Sequence, residues 1–162
     1  MPDTTIERLV VGDEDRLRRI RLRALRDAPD AFETTFEAAS ARPFESWRQQ
    51  LETLTTFVAV AGGLDVGMAR GARHDGHEDT AELISMWVAP AARRRAVGSA
   101  LIEAVADWAR AERFQRLVLD VTEANSAALA LYTRAGFLPT GRVGSMPPPR
   151  AHLREIELAL TL

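Results

Sequence analysis

The chain has 162 residues, which is enough for one domain with a buried core, and residues 1–162 are expected to form a single domain. No apolar run reaches the roughly 20 residues that a membrane span needs, and a net charge of −2 gives no electrostatic reason to bind nucleic acid, so neither partner is expected. Cysteine and lysine are both absent, which excludes a cysteine nucleophile, a Schiff base and a lysine-containing phosphate loop.

The N-terminal part of the chain predicts a strand followed by a helix. Residues 1–5 lack the charged start and apolar stretch of a secretory signal, so a cytoplasmic location is expected. Residues 6–11 predict a short strand that Gly12 ends. The acidic residues 13–15 then begin a helix, which Pro29 stops.

The middle of the chain predicts one helix and three strands. The helix covers about residues 43–51, with a proline in its first turn. Strands at 56–61 and 65–73 form a hairpin around two glycines, and a third strand covers 81–88. The turn before that third strand contains His74, His77 and Glu78, but nothing nearby fixes a tetrahedral ligand set, so no metal site is expected.

The C-terminal third alternates helices and strands. A helix reaching about residue 112 connects the preceding strand to a strand at 117–121, so these two strands are expected to be parallel. A further helix begins after Asn125. One further strand begins at residue 137, and the final strand covers residues 153–160. Between them, the triple proline predicts a loop over residues 141–149.

Residues 86–102 carry the clearest functional signal. An apolar strand ends at Pro90, three consecutive arginines follow, and a helical pattern then begins. A strand that leads into a basic loop and a helix start presents backbone N–H groups to a phosphate, and guanidinium groups add charged donors. We interpret this stretch as a pyrophosphate cradle.

Two motifs separated by one strand resemble the GNAT superfamily of acetyl-CoA-dependent N-acetyltransferases. Residues 93–98 (Arg-Arg-Arg-Ala-Val-Gly) are similar to its Gln/Arg-x-x-Gly-x-Gly/Ala motif, and residues 125–137 are similar to its Asn-x-x-Ala-x-x-Leu-Tyr-x-x-x-Gly-Phe motif. The order of elements is also similar. The resemblance implies an α/β (α+β, three-layer) fold with a mixed, mostly antiparallel sheet of about seven strands. It also implies a parallel, splayed pair formed by the fourth and fifth strands, and about four helices.

The first motif departs from the family pattern at its middle glycine, which is Ala96 here. The register 95–100 fits the bare pattern literally, but it moves the loop two residues away from Pro90, so the register 93–98 is preferred. A left-handed alanine would carry strain of about 1–2 kcal/mol. We therefore predict that Ala96 is right-handed and still donates its N–H.

The resemblance implies acetyl-CoA as co-substrate. The pyrophosphate is expected on the N–H groups of residues 95–99, and the pantetheine arm is expected to pair with the backbone of residues 86–88 like an added strand. The residues expected to bind acetyl-CoA are Met86, Trp87, Val88, Arg93, Arg94, Arg95, Ala96, Val97, Gly98, Ser99, Asn125, Ala128 and Tyr132.

The catalytic roles also follow from the resemblance. Asp120 and Glu82 are the carboxylates considered as the base for the attacking amine, and Tyr132 matches the tyrosine that protonates the departing CoA thiolate. Three residues of the predicted site also have simpler explanations. Asn125 can be a helix cap, Tyr132 a core residue, and Asp120 a cap or the ion-pair partner of an arginine. Without a cysteine or a Gly-x-Ser-x-Gly motif, direct attack through a ternary complex is expected rather than a covalent intermediate.

The acceptor is the least specified part. Phe32, Phe36 and Trp47 predict an aromatic wall for it, and no acidic cluster in that region of the sequence suggests a polycationic acceptor. A small molecule such as an amino acid or antibiotic, or a protein N-terminus, stays open, and a homodimer is an additional expectation from the resemblance. The alternative function is a non-catalytic acyl-CoA-binding or sensing module on the same fold.

Overall fold

The computed structural model describes residues 3–162, so the first two residues of the N-terminal segment, in which no secretory signal is predicted, lie outside the described residues. Seven strands form one sheet with the order β1-β2-β3-β4-β5-β7-β6. The strands are β1 Thr4–Leu9, β2 Thr55–Ala61, β3 Leu64–Arg73, β4 Thr80–Val88, β5 Arg116–Thr122, β6 Leu138–Ser145 and β7 Arg154–Thr161.

Among residues 3–162, five α-helices accompany the sheet, one more than expected. They are α1 Glu14–Asp27, α2 Phe36–Ser40, α3 Phe44–Thr53, α4 Val97–Ala111 and α5 Ser126–Arg134. The unpredicted helix is α2, a five-residue helix whose N-terminus is capped by the Thr35 hydroxyl, which accepts the Ala38 N–H at 3.1 Å. A helix this short has no apolar periodicity for a sequence pattern to detect.

The sheet separates two apolar cores and gives the fold three layers, as predicted. On one face α4 packs Leu101 and Val105 against strand residues such as Ala59 and Leu117. On the other face α1 and α3 pack against strand residues such as Met68. Side chains that alternate along each strand therefore point either to the α4 layer or to the α1–α3 layer.

The pairing between β4 and β5 is parallel and short. It covers Thr80↔Arg116, Ala81↔Leu117 and Glu82↔Val118, and every other neighbouring pair in the sheet is antiparallel. Both strands continue beyond the last of these pairs without bonding each other. The predicted splayed pair is confirmed.

Two strand boundaries differ from the sequence predictions. The first strand ends at Leu9, so Val10 and Val11 are exposed beyond it. β6 extends through Gly141 to Ser145, where a loop was predicted. The pairing of β6 with β7 shifts register between Pro139 and Val143, and an edge strand tolerates proline and a glycine bulge that a central strand would not.

Two further features concern membranes and metals. No helix among residues 3–162 is long and apolar enough to cross a bilayer. Within the same residues, no three histidine, aspartate or glutamate side chains come together in a way that could hold a metal ion. His74 and His77 instead stack on each other with ring centroids 5.3 Å apart.

The contact between α4 and β3 yields a stability prediction. A Cβ added to Gly71 would lie 2.4 Å from the Trp108 ring, so Gly71→Ala should lower the free energy of unfolding by about 1–3 kcal/mol. Gly144→Ala is the matched control, because a Cβ there meets nothing within 4 Å and should change stability by less than about 0.5 kcal/mol. Urea unfolding of both variants measures the difference, and equal stabilities would contradict this packing.

Candidate active site

The site is built where β4 and β5 stop pairing. Beyond Glu82 the side of β4 that faces β5 has no strand partner, although β4 continues to Val88. Apart from the Val88 carbonyl oxygen, which accepts a hydrogen bond from Arg93, peptide groups on this side of β4 are available to an extended ligand. Residues 86–88, predicted to bind the pantetheine arm, line this gap with their backbone.

Asp27, the last residue of α1, holds the end of β4 in place. Its Oδ2 accepts hydrogen bonds from Trp87 Nε1 at 3.0 Å and from Arg93 Nη2 at 2.7 Å. Arg93 Nε also donates to the Val88 carbonyl oxygen at 3.0 Å. The Trp87 side chain is therefore buried in the α1–α3 core, and the Arg93 guanidinium is engaged within the protein.

The N–H groups of residues 94–99 form a row without acceptors in the described part of the chain. Three of them belong to the first turn of α4, whose first backbone bond to the preceding loop runs from Ala100 N–H to Ala96 O at 3.0 Å. The helix dipole adds partial positive charge at the same place. Arg94 and Arg95 are exposed beside these groups and have no ion-pair partner among residues 3–162.

The prediction for Ala96 is wrong. Ala96 has φ 62° and ψ 11°, which is the left-handed conformation, and Arg94 is left-handed too, with φ 62°. Left-handed residues within a loop turn successive N–H groups toward a common centre, which is the geometry of an anion-binding nest. The chain thus keeps the conformation that the motif's glycine supplies, and strain of about 1–2 kcal/mol at the alanine is the physical consequence.

Gly98, the last position of the motif, is needed for a different reason. A Cβ there would lie 2.9 Å from Leu131 Cδ2 and 3.3 Å from Met86 Cε. The missing side chain at Gly98 therefore leaves room for Leu131 of α5 and Met86 of β4 beside the start of α4.

The second motif supplies one side of the same gap. Asn125 Oδ1 accepts the Ala128 N–H at 3.2 Å, so Asn125 is the N-cap of α5. Ala128 is partly buried against the α4-side core. Tyr132 is 6% exposed and meets the Phe137 ring edge-on, with centroids 5.7 Å apart.

Burial raises the pKa of the Tyr132 hydroxyl above its ordinary value. Removing a phenolate from water is costly, so the neutral form is strongly favoured. A neutral tyrosine with a raised pKa can donate a hydrogen bond to an anion, but it gives up its proton less readily than an ordinary tyrosine. This weakens the sequence argument that its ordinary pKa suits proton transfer to a thiolate.

An acidic cavity of about 160 Å³ lies beyond the end of the β4–β5 pairing. Loss of hydration, and next the charge of Glu157, raise the pKa of Asp120. Loss of hydration and then Glu33 raise the pKa of Glu155. The residues that line the cavity are Glu33, Asp120, Arg142, Val143, Gly144, Ser145 and Glu155.

Glu82 stands at the last residue pair before the gap. Burial raises its pKa, His74 lowers it and the charge of Asp120 raises it again. His74 Nδ1 lies 3.8 Å from Glu82 Oε2. The structure thus brings the two predicted carboxylates, Asp120 and Glu82, into one electrostatic environment.

The acidic cluster was not predicted from the sequence, because Glu33, Asp120 and Glu155 come from three distant segments. A signal was present in β7, where Glu155 and Glu157 alternate with apolar residues and lie across from Thr122 and Asp120 of β5. Glutamates at i and i+2 of a strand point to one face.

The predicted aromatic wall is only partly present. Trp47 is 1% exposed in the α1–α3 core, so the structure does not place it in contact with a ligand. Phe32 is also buried, and its ring carries the Arg21 guanidinium 4.7 Å from the centroid. Phe36 lines a second cavity of about 450 Å³, where Arg26 lies over its ring.

Arg150, a further residue that the sequence analysis did not single out, ties the segment after β6 to the segment between α1 and α2. Its guanidinium donates to the carbonyl oxygens of Phe32 at 2.8 Å, of Glu33 at 2.9 Å and of Pro29. These bonds position Glu33 at the acidic cavity.

Comparison with known proteins bears on this geometry. The model of the acetyltransferase (GNAT) family matches residues 19–137, which include both motifs and the gap between β4 and β5. The chain belongs to the GNAT acetyltransferase family. A segment of 63 residues is 36% identical to the acetyl transferase GW6a of Oryza sativa subsp. japonica. That segment is 38% of this GNAT chain and spans only 15% of the length of the rice protein.

Solved structures share the fold over nearly the whole GNAT chain. A GNAT acetyltransferase from Streptococcus pneumoniae has a TM-score of 0.82 at 18% identity, covering 99% of each chain. The ribosomal-protein-alanine N-acetyltransferase of Brucella melitensis has a TM-score of 0.79 at 23% identity, covering 98% of this chain and 99% of its own. The acetyltransferase yncA of Salmonella typhimurium, solved with its cofactor acetyl-CoA, has a TM-score of 0.79 at 21% identity, covering 99% and 94%.

The left-handed Ala96 leads to a second stability prediction. Ala96→Gly should raise the free energy of unfolding by up to about 1 kcal/mol, because glycine adopts this conformation without a Cβ clash. Ala130→Gly is the control, since Ala130 lies exposed within α5 and glycine in a helix interior costs about 1 kcal/mol. Chemical unfolding of both variants should give opposite signs. Equal destabilisation by both would contradict strain at Ala96.

The acidic cavity leads to a pH-dependent prediction. A raised pKa means that the folded protein holds the Asp120 proton more tightly than the unfolded chain does, so ionisation of Asp120 opposes folding at pH 7. Asp120→Asn should therefore raise the melting temperature at pH 7, and the difference should shrink as the pH falls toward about 4.

Asp65→Asn is the matched comparison for this experiment. Asp65 Oδ1 lies 2.7 Å from Arg16 Nη2, so losing this carboxylate should lower the melting temperature at pH 7. Thermal melts across the pH range measure both variants. A lower melting temperature for Asp120→Asn at pH 7 would show that Asp120 is stabilised by its surroundings, contrary to the account above.

Proposed function

We propose that this chain transfers the acetyl group of acetyl-CoA to a primary amine by direct attack in a ternary complex. The observation that carries the proposal is the row of free N–H groups at residues 94–99, which borders the open side of β4. Asp120, which lies on β5 two residues beyond the last β4–β5 pair, lines the acidic cavity. With the N–H groups as an anion site, the open side of β4 as a channel and Asp120 as a base, this order would suit acetyl transfer from a CoA thioester.

The first part of the proposal concerns the co-substrate. The pyrophosphate would accept hydrogen bonds from the six N–H groups and from the guanidinium groups of Arg94 and Arg95. The dipole of α4 adds partial positive charge, so the site suits two linked phosphates rather than one. The amide groups of the pantetheine arm would pair with β4 along residues 86–88 as an added strand. A backbone N–H near the end of β4 would then face the thioester carbonyl and stabilise the oxyanion that forms there.

The second part concerns the amine. An ammonium ion has no lone pair for attack, so Asp120 or Glu82 would accept its proton, directly or through water. Their raised pKa values make both carboxylates stronger bases than ordinary ones. The neutral nitrogen would then form a bond to the carbonyl carbon, and the attached nitrogen would lose its second proton to solvent. The carbon–sulfur bond would break as the tetrahedral intermediate collapses to the amide and the CoA thiolate.

The third part concerns the leaving thiolate. Tyr132 lies on α5, which borders the gap, and its neutral hydroxyl would donate a hydrogen bond to the sulfur. This donation stabilises the thiolate as the carbon–sulfur bond breaks, and the proton itself can come from Tyr132 or from solvent.

Thiol release from acetyl-CoA across a panel of amines tests the proposal. The wild-type protein should release CoA with at least one amine, and Tyr132→Phe should lower kcat by about 10²-fold or more, because losing one hydrogen-bond donor to a developing anion costs about 10²–10³-fold. The melting temperature of Tyr132→Phe should stay near that of the wild type, since the ring and its contact with Phe137 are kept. Unchanged turnover by Tyr132→Phe would remove its assigned role.

The alternative is a non-catalytic module that binds or senses acyl-CoA. Binding of acetyl-CoA without thiol release for any amine would favour that module over the enzyme. A homodimer, a cytoplasmic location and the single-domain organisation stay predictions, the first of which sedimentation of the purified protein can test.

A further inference from the structure

One residue of β4 interrupts the regular strand beside the gap. Ser85 has φ 57°, a left-handed conformation that is uncommon for any residue other than glycine. On the neighbouring strand β3, Met68 lies opposite Trp87. Two residues further along β3, Arg70 lies opposite Ile84. One residue of β3 therefore faces two residues of β4, and Ser85 is the first residue of a β-bulge.

The bulge reverses the faces on which the following side chains lie. Before it, Leu83 is buried in the α4-side core. After it, Met86 and Val88 pack against that same core, and Trp87 lies in the α1–α3 core. Strict alternation from Leu83 would place Trp87 on the α4 side instead. Because peptide groups also point alternately to the two neighbours of a strand, the extra residue determines which peptide groups of residues 86–88 face the open side of β4.

A buried arginine holds the bulge residue. Arg70 Nε and Nη2 donate to Ser85 Oγ at 2.9 and 2.6 Å, and Arg70 Nη1 donates to Gln50 Oε1 of α3 at 2.8 Å. Because Ile84 lies opposite Arg70, alternation would turn the next side chain toward α4, away from the face where Arg70 bonds Gln50. The left-handed φ of Ser85 breaks this alternation, and its hydroxyl meets the guanidinium group.

The charge of Arg70 does not by itself stabilise the fold. Arg70 is 5% exposed, and within residues 3–162 its side chain bonds neutral groups only. Burial, and next the charges of Arg42 and of Arg21, itself 6% exposed, lower the pKa of Arg70 to about 9. A buried cation without a carboxylate is often less favourable than an apolar side chain of similar volume. The contribution of Arg70 therefore lies in the hydrogen bonds that it makes.

We propose that Arg70 is a positioning residue for the acetyl-CoA site. Its two bonds to the Ser85 hydroxyl stabilise the left-handed conformation at a position where glycine would need no such support. The bulge lies three residues beyond Glu82, the last residue of β4 that pairs with β5, and it keeps the peptide groups of residues 86–88 turned toward the open side. This inference rests on the proposed acetyl transfer and adds a residue that shapes its channel without touching the ligand.

Two variants of Ser85 test the need for a left-handed residue. Ser85→Ala and Ser85→Gly both remove the hydroxyl and leave the same two Arg70 donors without an acceptor. In calorimetric titrations with acetyl-CoA, Ser85→Ala should have a Kd about 5–30-fold above the wild type, the ratio that a left-handed penalty of about 1–2 kcal/mol gives. Ser85→Gly should stay within about 3-fold of the wild type, because glycine adopts this φ without a Cβ clash.

A rescue experiment tests Arg70 itself. Arg70→Met removes both bonds and fills the space with an apolar side chain of similar reach, so the chain should still fold. Its Kd for acetyl-CoA should rise by about 5–30-fold, as for Ser85→Ala. The double variant Arg70→Met/Ser85→Gly should return to within about 3-fold of the wild type, because glycine at residue 85 needs no support. Rescue at residue 85 is not expected if Arg70 serves only to fill the core.

Leu51→Ala is the control for a general loss of stability. Leu51 follows Gln50 in α3 and is 7% exposed in the same core. Its truncation should lower the melting temperature and leave the Kd for acetyl-CoA within about 3-fold of the wild type. Wild-type affinity in Arg70→Met, equal affinities of Ser85→Ala and Ser85→Gly, or a double variant as weak as Arg70→Met would each overturn the proposal.

A second readout needs neither ligand nor acetyl transfer. The three-bond coupling between the amide proton and Hα of residue 85 reports φ, so it should have a left-handed value in the wild type and an extended-strand value in Arg70→Met. A left-handed value kept in Arg70→Met would overturn the proposal. Failure of the proposed function looks different. If acetyl-CoA binds but no amine releases thiol, the Kd series still judges Arg70, and if acetyl-CoA does not bind, the coupling decides.

Discussion

The parallel pairing of β4 and β5 ends after three residue pairs, and both strands continue apart from each other. That divergence leaves one side of β4 without a strand partner, in the middle of a sheet where such groups are otherwise paired. α4 begins at the mouth of the resulting gap and α5 borders it. The free N–H groups of residues 94–99 follow the end of β4, and Asp120 of the acidic cavity lies on β5 two residues beyond the last β4–β5 pair.

Contacts from other segments of the chain fix the elements around the gap. Asp27 at the end of α1 binds Trp87 and Arg93 together and so fixes the end of β4 to the neighbouring helix layer. The side chains of Leu131 of α5 and Met86 of β4 lie next to Gly98 at the start of α4. Arg150 fixes the segment that carries Glu33. The left-handed Ala96 adds strain of about 1–2 kcal/mol in the loop that leads into α4.

Much of this arrangement could be predicted from local patterns. Residues 86–102 combine a strand, a basic loop and a helix start, and residues 125–137 carry a cap, an apolar stripe and a terminal glycine, so both motifs are visible within short windows. The parallel pair follows from the helix that connects β4 to β5. The α2 helix was not predicted because its five residues are too few to show a helical period. The full length of β6 was not predicted because Pro139 and Gly141 are typical of loops.

The groups that the sequence did not reveal are those assembled from distant segments. Glu33, Asp120 and Glu155 meet only through the strand order β4-β5-β7 and the Arg150 bonds. Arg21 and Arg70 likewise come from a helix and a strand on the same side of the sheet. Trp47 was assigned to the acceptor wall because aromatic residues suit both cores and binding sites, and only its burial distinguishes the two. Arg70 lies within the buried stretch of β3, and an arginine in such a strand was the one local sign of these two buried guanidinium groups.

The central claim is that the N–H groups of residues 94–99 hold the pyrophosphate while β4 pairs with the pantetheine arm. Titration of the ¹⁵N-labelled protein with CoA, followed by amide ¹H–¹⁵N spectra, measures this directly. The account predicts the largest downfield amide proton shifts at residues 94–99, together with slowed hydrogen exchange in β4 at residues 86–88. Unchanged amide signals at 94–99, with CoA bound and shifts confined to other elements, would contradict it.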